Sequence, residues 1–211
     1  MVEPLEAIAA RTLAHYESSA EGFWIATRDH DVTQNREALI DALPRGRPLR
    51  ILDLGCGPGR DLVAFRALGH EPVGLDGCAS FVEMARHHSG CEVLHQSFFE
   101  LALDDTAYDG VYANASLFHV PQAQLPRVLG ELFRALVRGG VLFCSNPRSF
   151  DVDTEGWSGD RYGCHLTIEG WTRVISGAGF VLERHFLRPS DRPPHQQPWL
   201  AMVWRKRGDF G

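Results

Sequence analysis

The sequence has 211 residues, of which 44% are hydrophobic and 23% charged, with a formal net charge of −6. This is an ordinary globular balance, and the acidic excess argues against a protein whose main task is to grip a nucleic-acid backbone. A chain of this length buries about 70% of its unfolded surface, so a core forms without disulfides or a structural metal. The five cysteines, Cys56, Cys78, Cys91, Cys144 and Cys164, are odd in number and contain no C-x-x-C pair, which predicts free thiols in a reducing compartment and no metal site. Met1 to Ala10 carries Glu3 and Glu6 and lacks the apolar core of a signal peptide, and no run of 18 apolar residues predicts a membrane span. The expectation is a soluble, cytoplasmic protein.

Apolar residues at Leu5, Ile8, Ala9, Leu13 and Tyr16 predict a first helix. Asp31 followed by Gln34 has the form of a capping box, opening a helix that buries Leu39, Ile40 and Leu43 and stops at Pro44. Strands are predicted over Leu49–Leu54, Glu71–Asp76, Cys91–His95, Tyr108–Ala113 and Val141–Ser145, with helices around Leu62–Leu68, Phe81–His88 and Pro121–Arg138 between them. Strands joined through helices imply parallel pairing. After a helix at Thr167–Gly177, the strands Phe180–Leu187 and Trp199–Arg205 are linked only by the proline-rich 189–198 stretch, which predicts an antiparallel hairpin. Residues 1–45 read as an N-terminal helical lid or cap and 46–211 as the main domain, with 151–165 as an insertion too polar for core that forms a partial lid.

The chemistry begins at Asp53-Leu54-Gly55-Cys56-Gly57-Pro58-Gly59. Glycines at alternate positions between a strand and a helix let the backbone turn sharply and come close to a ligand, whose anionic group the helix amides then face. Asp76 closes the second strand, where a carboxylate can accept both hydroxyls of a ribose. This stretch resembles motif I of the class I S-adenosylmethionine-dependent methyltransferases. A nicotinamide-dependent oxidoreductase would show G-x-G-x-x-G, and here the third glycine comes one residue early, behind a proline.

The resemblance implies an α/β, Rossmann-like seven-stranded methyltransferase sheet, mostly parallel with an antiparallel terminal hairpin and with helices on both faces. It implies S-adenosyl-L-methionine as cofactor and S-adenosyl-L-homocysteine as product. By the same resemblance Gly55, Cys56, Gly57 and Gly59 line the methionine half, Asp53 holds the ammonium, and Asp76 with Gly77 holds the ribose. Ser97 stands where the family often has an acid for adenine, beside Phe98, and Asn114 and Ala115 pass the methionine group.

For the acceptor, the carboxyl ends of the strands offer His119 and Arg148, the insertion offers Trp157, Arg161, Tyr162 and His165, and the N-terminal segment offers Tyr16 and Trp24. His119 is the first candidate base and His165 the second, since imidazole titrates near neutral pH. Arg148 is a candidate carboxylate or phosphate clamp. The Asn-Pro-Pro-Tyr type motif of nucleic-acid amino methyltransferases is replaced by Asn114-Ala115-Ser116-Leu117. The expected partner is therefore a small polar molecule methylated on N, O or S, with no nucleic acid and no membrane involved. A non-catalytic S-adenosylmethionine-binding protein and a nicotinamide-dependent oxidoreductase are the alternatives. The sequence does not fix an oligomeric state.

Overall fold

Central parallel strands bury both faces and therefore need helices above and below. In the computed structural model, which describes residues 3–207, they have them. The outermost residues of the two expected domain spans, 1–2 and 208–211, lie outside the described residues. Three helices, α1 (Leu5–Ser18), α2 (Ala20–Thr27) and α3 (Thr33–Ile40), lead into an alternating series: β1 (Arg50–Leu54), α4 (Arg60–Ala67), β2 (Glu71–Asp76), α5 (Ala79–Ser89) and β3 (Glu92–His95). There follow β4 (Tyr108–Asn114), α6 (Leu125–Ala135) and β5 (Leu136–Pro147). A small hairpin, β6 (Thr154–Ser158) and β7 (Arg161–His165), precedes α7 (Ile168–Gly177), β8 (Phe180–Arg188) and β9 (Trp199–Lys206).

The main sheet has seven strands in the order β3-β2-β1-β4-β5-β9-β8. Strands β1 to β5 pair in parallel, and β9 runs antiparallel between β5 and β8. The expected terminal hairpin is thus present, inserted so that β9 pairs with β5.

The alternation of side chains along each strand feeds two cores. On one face Leu52, Val111, Ala113 and Leu142 meet Leu125, Val128, Leu129 and Leu132 of α6, together with Trp171 and Ile175 of α7. On the other, Ile51, Tyr112, Phe143 and Val203 meet Leu39 and Leu43 and Phe65 of α4, with Tyr112 stacked on Phe143 at 5.1 Å. Each fully buried side chain of this size contributes about 1.5–3 kcal/mol. Because Leu39 and Leu43 share this core with the sheet, the expected division at 45/46 does not separate two packing units. Helix α3 belongs to the sheet layer, and α1 and α2 stand apart from it.

Two local expectations are corrected. The Asp31 carboxylate accepts from the Thr33 amide at 2.9 Å, but Val32 rather than Asp31 is the residue before the helix, so no Asp31–Gln34 capping box forms. The predicted Pro121–Arg138 helix ends at Ala135, and Leu136 to Gly140 enter β5, where Leu136 pairs with Tyr108. Helical periodicity continues through Leu136, yet pairing with the exposed edge of β4 overrides it. The 151–165 insertion carries the β6–β7 hairpin, in which Trp157 faces Tyr162 across the pair. Residues Ala20–Thr27 form a helix of their own.

Gly59 sits at the start of α4 with φ +93°, and a Cβ there would lie 2.8 Å from the Ala85 Cα of α5. Both the left-handed backbone and the clash penalise a side chain. Gly59→Ala is expected to lower stability by about 2 kcal/mol or more in urea unfolding. A loss under about 0.5 kcal/mol would show that α4 and α5 separate without cost.

Candidate active site

The end of β1 is tied to the end of β2 by backbone. Gly55 (φ +72°) and Cys56 both donate their amides to the Leu75 carbonyl, at 2.7 and 3.1 Å. A Cβ on Gly55 would fall 2.5 Å from the Ser116 Cβ and 3.1 Å from the Phe98 ring, so the turn admits no side chain. One residue on, the Gly57 amide donates to Asp76 Oδ2 at 2.9 Å, and the Cys78 amide donates to Asp76 Oδ1 at 2.9 Å. Burial pushes the Asp76 carboxyl up to about 6, against the opposing effect of these amides. Each carboxylate oxygen keeps a further lone-pair direction for a ligand donor.

Two connected cavities lie over the carboxyl edge of the sheet. The smaller, of about 110 Å³, has Asp76, Gly77, Ser97 and Phe98 on its walls and is roofed by Ile8, Thr12 and Leu13 of α1. The larger, of about 620 Å³, is lined by residues that include Asp53, Cys56, Asn114, Trp24 and Thr27, with Phe118, Arg161, Arg188 and Trp199. Tyr16, Phe23, Gly55, Gly57 and Ala115 line both. Ala115 holds φ +59°, uncommon for a residue with a side chain, and its amide donates to the Ser145 carbonyl at 2.8 Å. Asn114 Oδ1 accepts from the Asn35 amide group at 2.9 Å, which ties α3 to the site.

Asp53 Oδ2 and Ser116 Oγ are buried without a hydrogen-bond partner. Such atoms are costly unless a ligand completes them. Burial, with the Asp61 carboxylate adding to it, pushes the Asp53 carboxyl well above the usual range. An ammonium group in the larger cavity would reverse that shift, and ribose hydroxyls would suit Asp76 in the smaller one. The residues present fit an amino acid joined to a nucleoside. Ser97 Oγ accepts from the Phe99 amide at 3.2 Å, so adenine there meets a neutral wall with Phe98 beside it.

The roof is clasped by the β6–β7 hairpin. Arg11 pairs with Asp160 at 2.9 Å and lies 4.2 Å over the Trp157 ring. The Trp157 indole donates to Glu3 at 2.9 Å, and the Tyr162 amide donates to Thr12 Oγ1 at 3.1 Å. Trp157 and Tyr162, expected on the substrate, therefore hold the roof and do not line either cavity. Trp24 does line the larger one, stacked on His88 at 4.5 Å.

His119 lies at the smaller cavity with both ring nitrogens engaged. Nδ1 stands 2.6 Å from the Tyr162 carbonyl, which can only accept, so Nδ1 carries the proton. Nε2, 2.9 Å from the Tyr16 hydroxyl, is then the acceptor of that hydroxyl. Burial lowers the His119 pKa to about 4, which corrects the expectation of an imidazole titrating near neutrality. His165 is half-buried beside Phe118, at 6.1 Å between rings, and lines neither cavity. Arg148 is also placed elsewhere: its guanidinium donates to the carbonyls of Gln197 at 3.0 Å and Pro194 at 2.6 Å and covers Phe150. The sequence reading missed Arg188 and Phe118, which face the larger cavity. Their only signal was position, Arg188 closing a strand before a proline and Phe118 following the fourth strand.

Residues 51–140 match the family model described as a methyltransferase domain. The chain is similar to the class I S-adenosylmethionine-dependent methyltransferases. The chain is 37% identical over 130 residues to the trans-aconitate 2-methyltransferase of Variovorax paradoxus, a match covering 58% of the chain and 48% of that protein. It is 35% identical over 124 residues to the 24-methylenesterol C-methyltransferase 2 of Oryza sativa subsp. japonica, covering 55% of the chain and 32% of that protein. The match thus spans about half or less of the length of these curated relatives. Among solved structures it shares its fold with the 1,6-didemethyltoxoflavin-N1-methyltransferase of Burkholderia thailandensis, with a TM-score of 0.82 and 20% identity over 99% of this chain and 92% of that one. That structure holds 1,6-didemethyltoxoflavin and S-adenosylhomocysteine.

Because burial raises the Asp76 pKa to about 6 in the free protein, and hydroxyl donors favour its carboxylate, a ribose bound there would displace a proton. The affinity for S-adenosylhomocysteine is expected to weaken by up to about tenfold per pH unit below 6 and to level off above it. Calorimetry from pH 5 to 8 checks this, with Asp76→Asn flattening the limb. In the unliganded protein the sign is opposite. The folded-state pKa exceeds the usual 3.8, so stability falls as pH rises from about 4 to about 6.

Proposed function

We propose that this protein transfers the methyl group of S-adenosylmethionine to a nitrogen, oxygen or sulfur atom of a small polar molecule held in the larger cavity. The observation that carries the reading is the pair of joined cavities, with Asp76 in one, the partnerless Asp53 oxygen in the other, and the glycine turn between them. When bound, the cofactor supplies a methyl group already made electrophilic by its sulfonium. The chain's task is then to orient the acceptor, exclude water and handle one proton, and orientation alone lowers a barrier by about 7–11 kcal/mol.

Asp76, Asp53 and the Gly55 and Gly57 backbone would hold the cofactor on the floor, and α1 and α2 would close over it. The Tyr16 hydroxyl stands where the two cavities meet and already directs its proton at His119 Nε2. An acceptor proton can pass to the Tyr16 oxygen as the phenol proton passes to Nε2. Heteroatoms become more acidic on methylation, so a neutral imidazole of low basicity suffices once the methyl group has moved. The Tyr162 carbonyl holds the tautomer that leaves Nε2 free to accept. The relatives' named acceptors range from an acid to a sterol to a heteroaromatic ring, so the acceptor of this chain is read from its own cavity.

Titration by calorimetry with S-adenosylmethionine, S-adenosylhomocysteine and NAD tests the reading. Micromolar binding of the two adenosyl ligands, no binding of NAD, and a loss of about a hundredfold or more in Asp76→Ala are expected. NAD binding without a response to the adenosyl pair would overturn it. Asp76→Asn, matched in melting temperature, separates lost ligand bonds from a disturbed turn.

For the proton path, Tyr16→Phe is expected to lower kcat by about a hundredfold while the Kd for S-adenosylhomocysteine changes less than about threefold. An unchanged kcat would remove Tyr16 and His119 from the chemistry.

A further inference from the structure

We infer that Arg161 and Arg188 read an oxyanion on the acceptor, so that the substrate is a small planar molecule bearing a carboxylate or phosphate group. This deepens the proposed function and rests on it. Both arginines line the larger cavity, and they come from different strands, Arg161 from β7 and Arg188 from β8. Arg188 ends β8 and is the cross-strand partner of Trp199, which begins β9 opposite Pro147 at the carboxyl end of β5. Directly paired residues project to the same face of a sheet, so the Arg188 guanidinium and the Trp199 ring rise together beside the acceptor space. Arg161 opens β7 and reaches the cavity next to Tyr16, where its hydrogen bond to the phenol and then its charge oppose the rise that burial gives the phenol pKa.

The charges around the pair are otherwise accounted for. Asp61 is matched by Arg36 at 2.8 Å and Arg60 at 2.7 Å. The Asp31 carboxylate accepts from the Thr33 amide and feels the Arg36 and Arg188 charges, which help hold its pKa down, and Asp53 lines the cavity with the glycine turn. Among the described residues neither Arg161 nor Arg188 forms an ion pair with a carboxylate. Arg188 gives one N–H to the Asp31 backbone carbonyl at 2.8 Å, which fixes the group and leaves most of its five donors available. Two guanidinium forks on one cavity suit a group with two or more anionic oxygens. Phe118 and Trp199, edge to face at 6.4 Å, supply flat apolar walls for the rest of the molecule.

The test uses the full chain with and without S-adenosylhomocysteine, titrated with benzoate, phenyl phosphate and the neutral benzamide. At least one anion is expected to bind about tenfold or more tightly than benzamide, in line with hydrogen bonds to a charged group. The preference should fall to within about threefold in Arg161→Gln and in Arg188→Gln, each checked for an unchanged melting temperature. The stronger of the two anions distinguishes a planar carboxylate from a tetrahedral phosphate as the group recognised. Equal binding of benzamide, no binding of either anion, or a preference that survives both substitutions would overturn the inference. S-adenosylhomocysteine binding in the same experiment is a separate arm. If it is retained without an anion preference, only this inference fails; if it is absent, the cofactor reading fails.

Discussion

The site depends on the hydrogen bond from the Gly57 amide to the Asp76 carboxylate. It fastens the turn after β1 to the end of β2, and the two Leu75 carbonyl bonds beside it complete the tie. Without it the glycine turn has no reason to lie flat across the strand ends, since its left-handed residues are held by no side chains of their own. The bond also places an acidic group, raised in pKa by its burial, at the point where a ribose would meet the protein. A structural requirement of the fold and a binding requirement of the ligand fall on the same two oxygens.

Most of the architecture was legible in the sequence because central parallel strands are apolar on both faces. Ile51-Leu52 and Leu142-Phe143 show this without ambiguity, and the glycine spacing after β1 located the site. What escaped was set by tertiary contacts. Leu136 continues a helical period but pairs with Tyr108 instead. Arg148 sits at the carboxyl end of β5, as an anion clamp would, yet bends onto two carbonyls of the proline-rich connection. Trp157 was legible as an aromatic on a polar insertion, but not as the partner of Glu3.

His119 shows how far local chemistry can carry a role and where it stops. The residue type and position pointed to a base, and only the coordinates reveal that Tyr16 stands between the imidazole and the larger cavity. Burial then sets the basicity low, a property no sequence window reports. Under the proposed function the N-terminal helix is part of the reaction chamber as well as its cover, since it contributes Tyr16, which lines both cavities.

The clasp over that chamber joins residues about 150 positions apart, Arg11 with Asp160 and Thr12 with Tyr162. During synthesis the first helix leaves the ribosome long before the hairpin that receives it, and closing so long a loop is rewarded only when both ends exist. The sheet up to β4 can therefore form while the ceiling is still open. The chamber is sealed late in assembly, after the walls that shape it are in place.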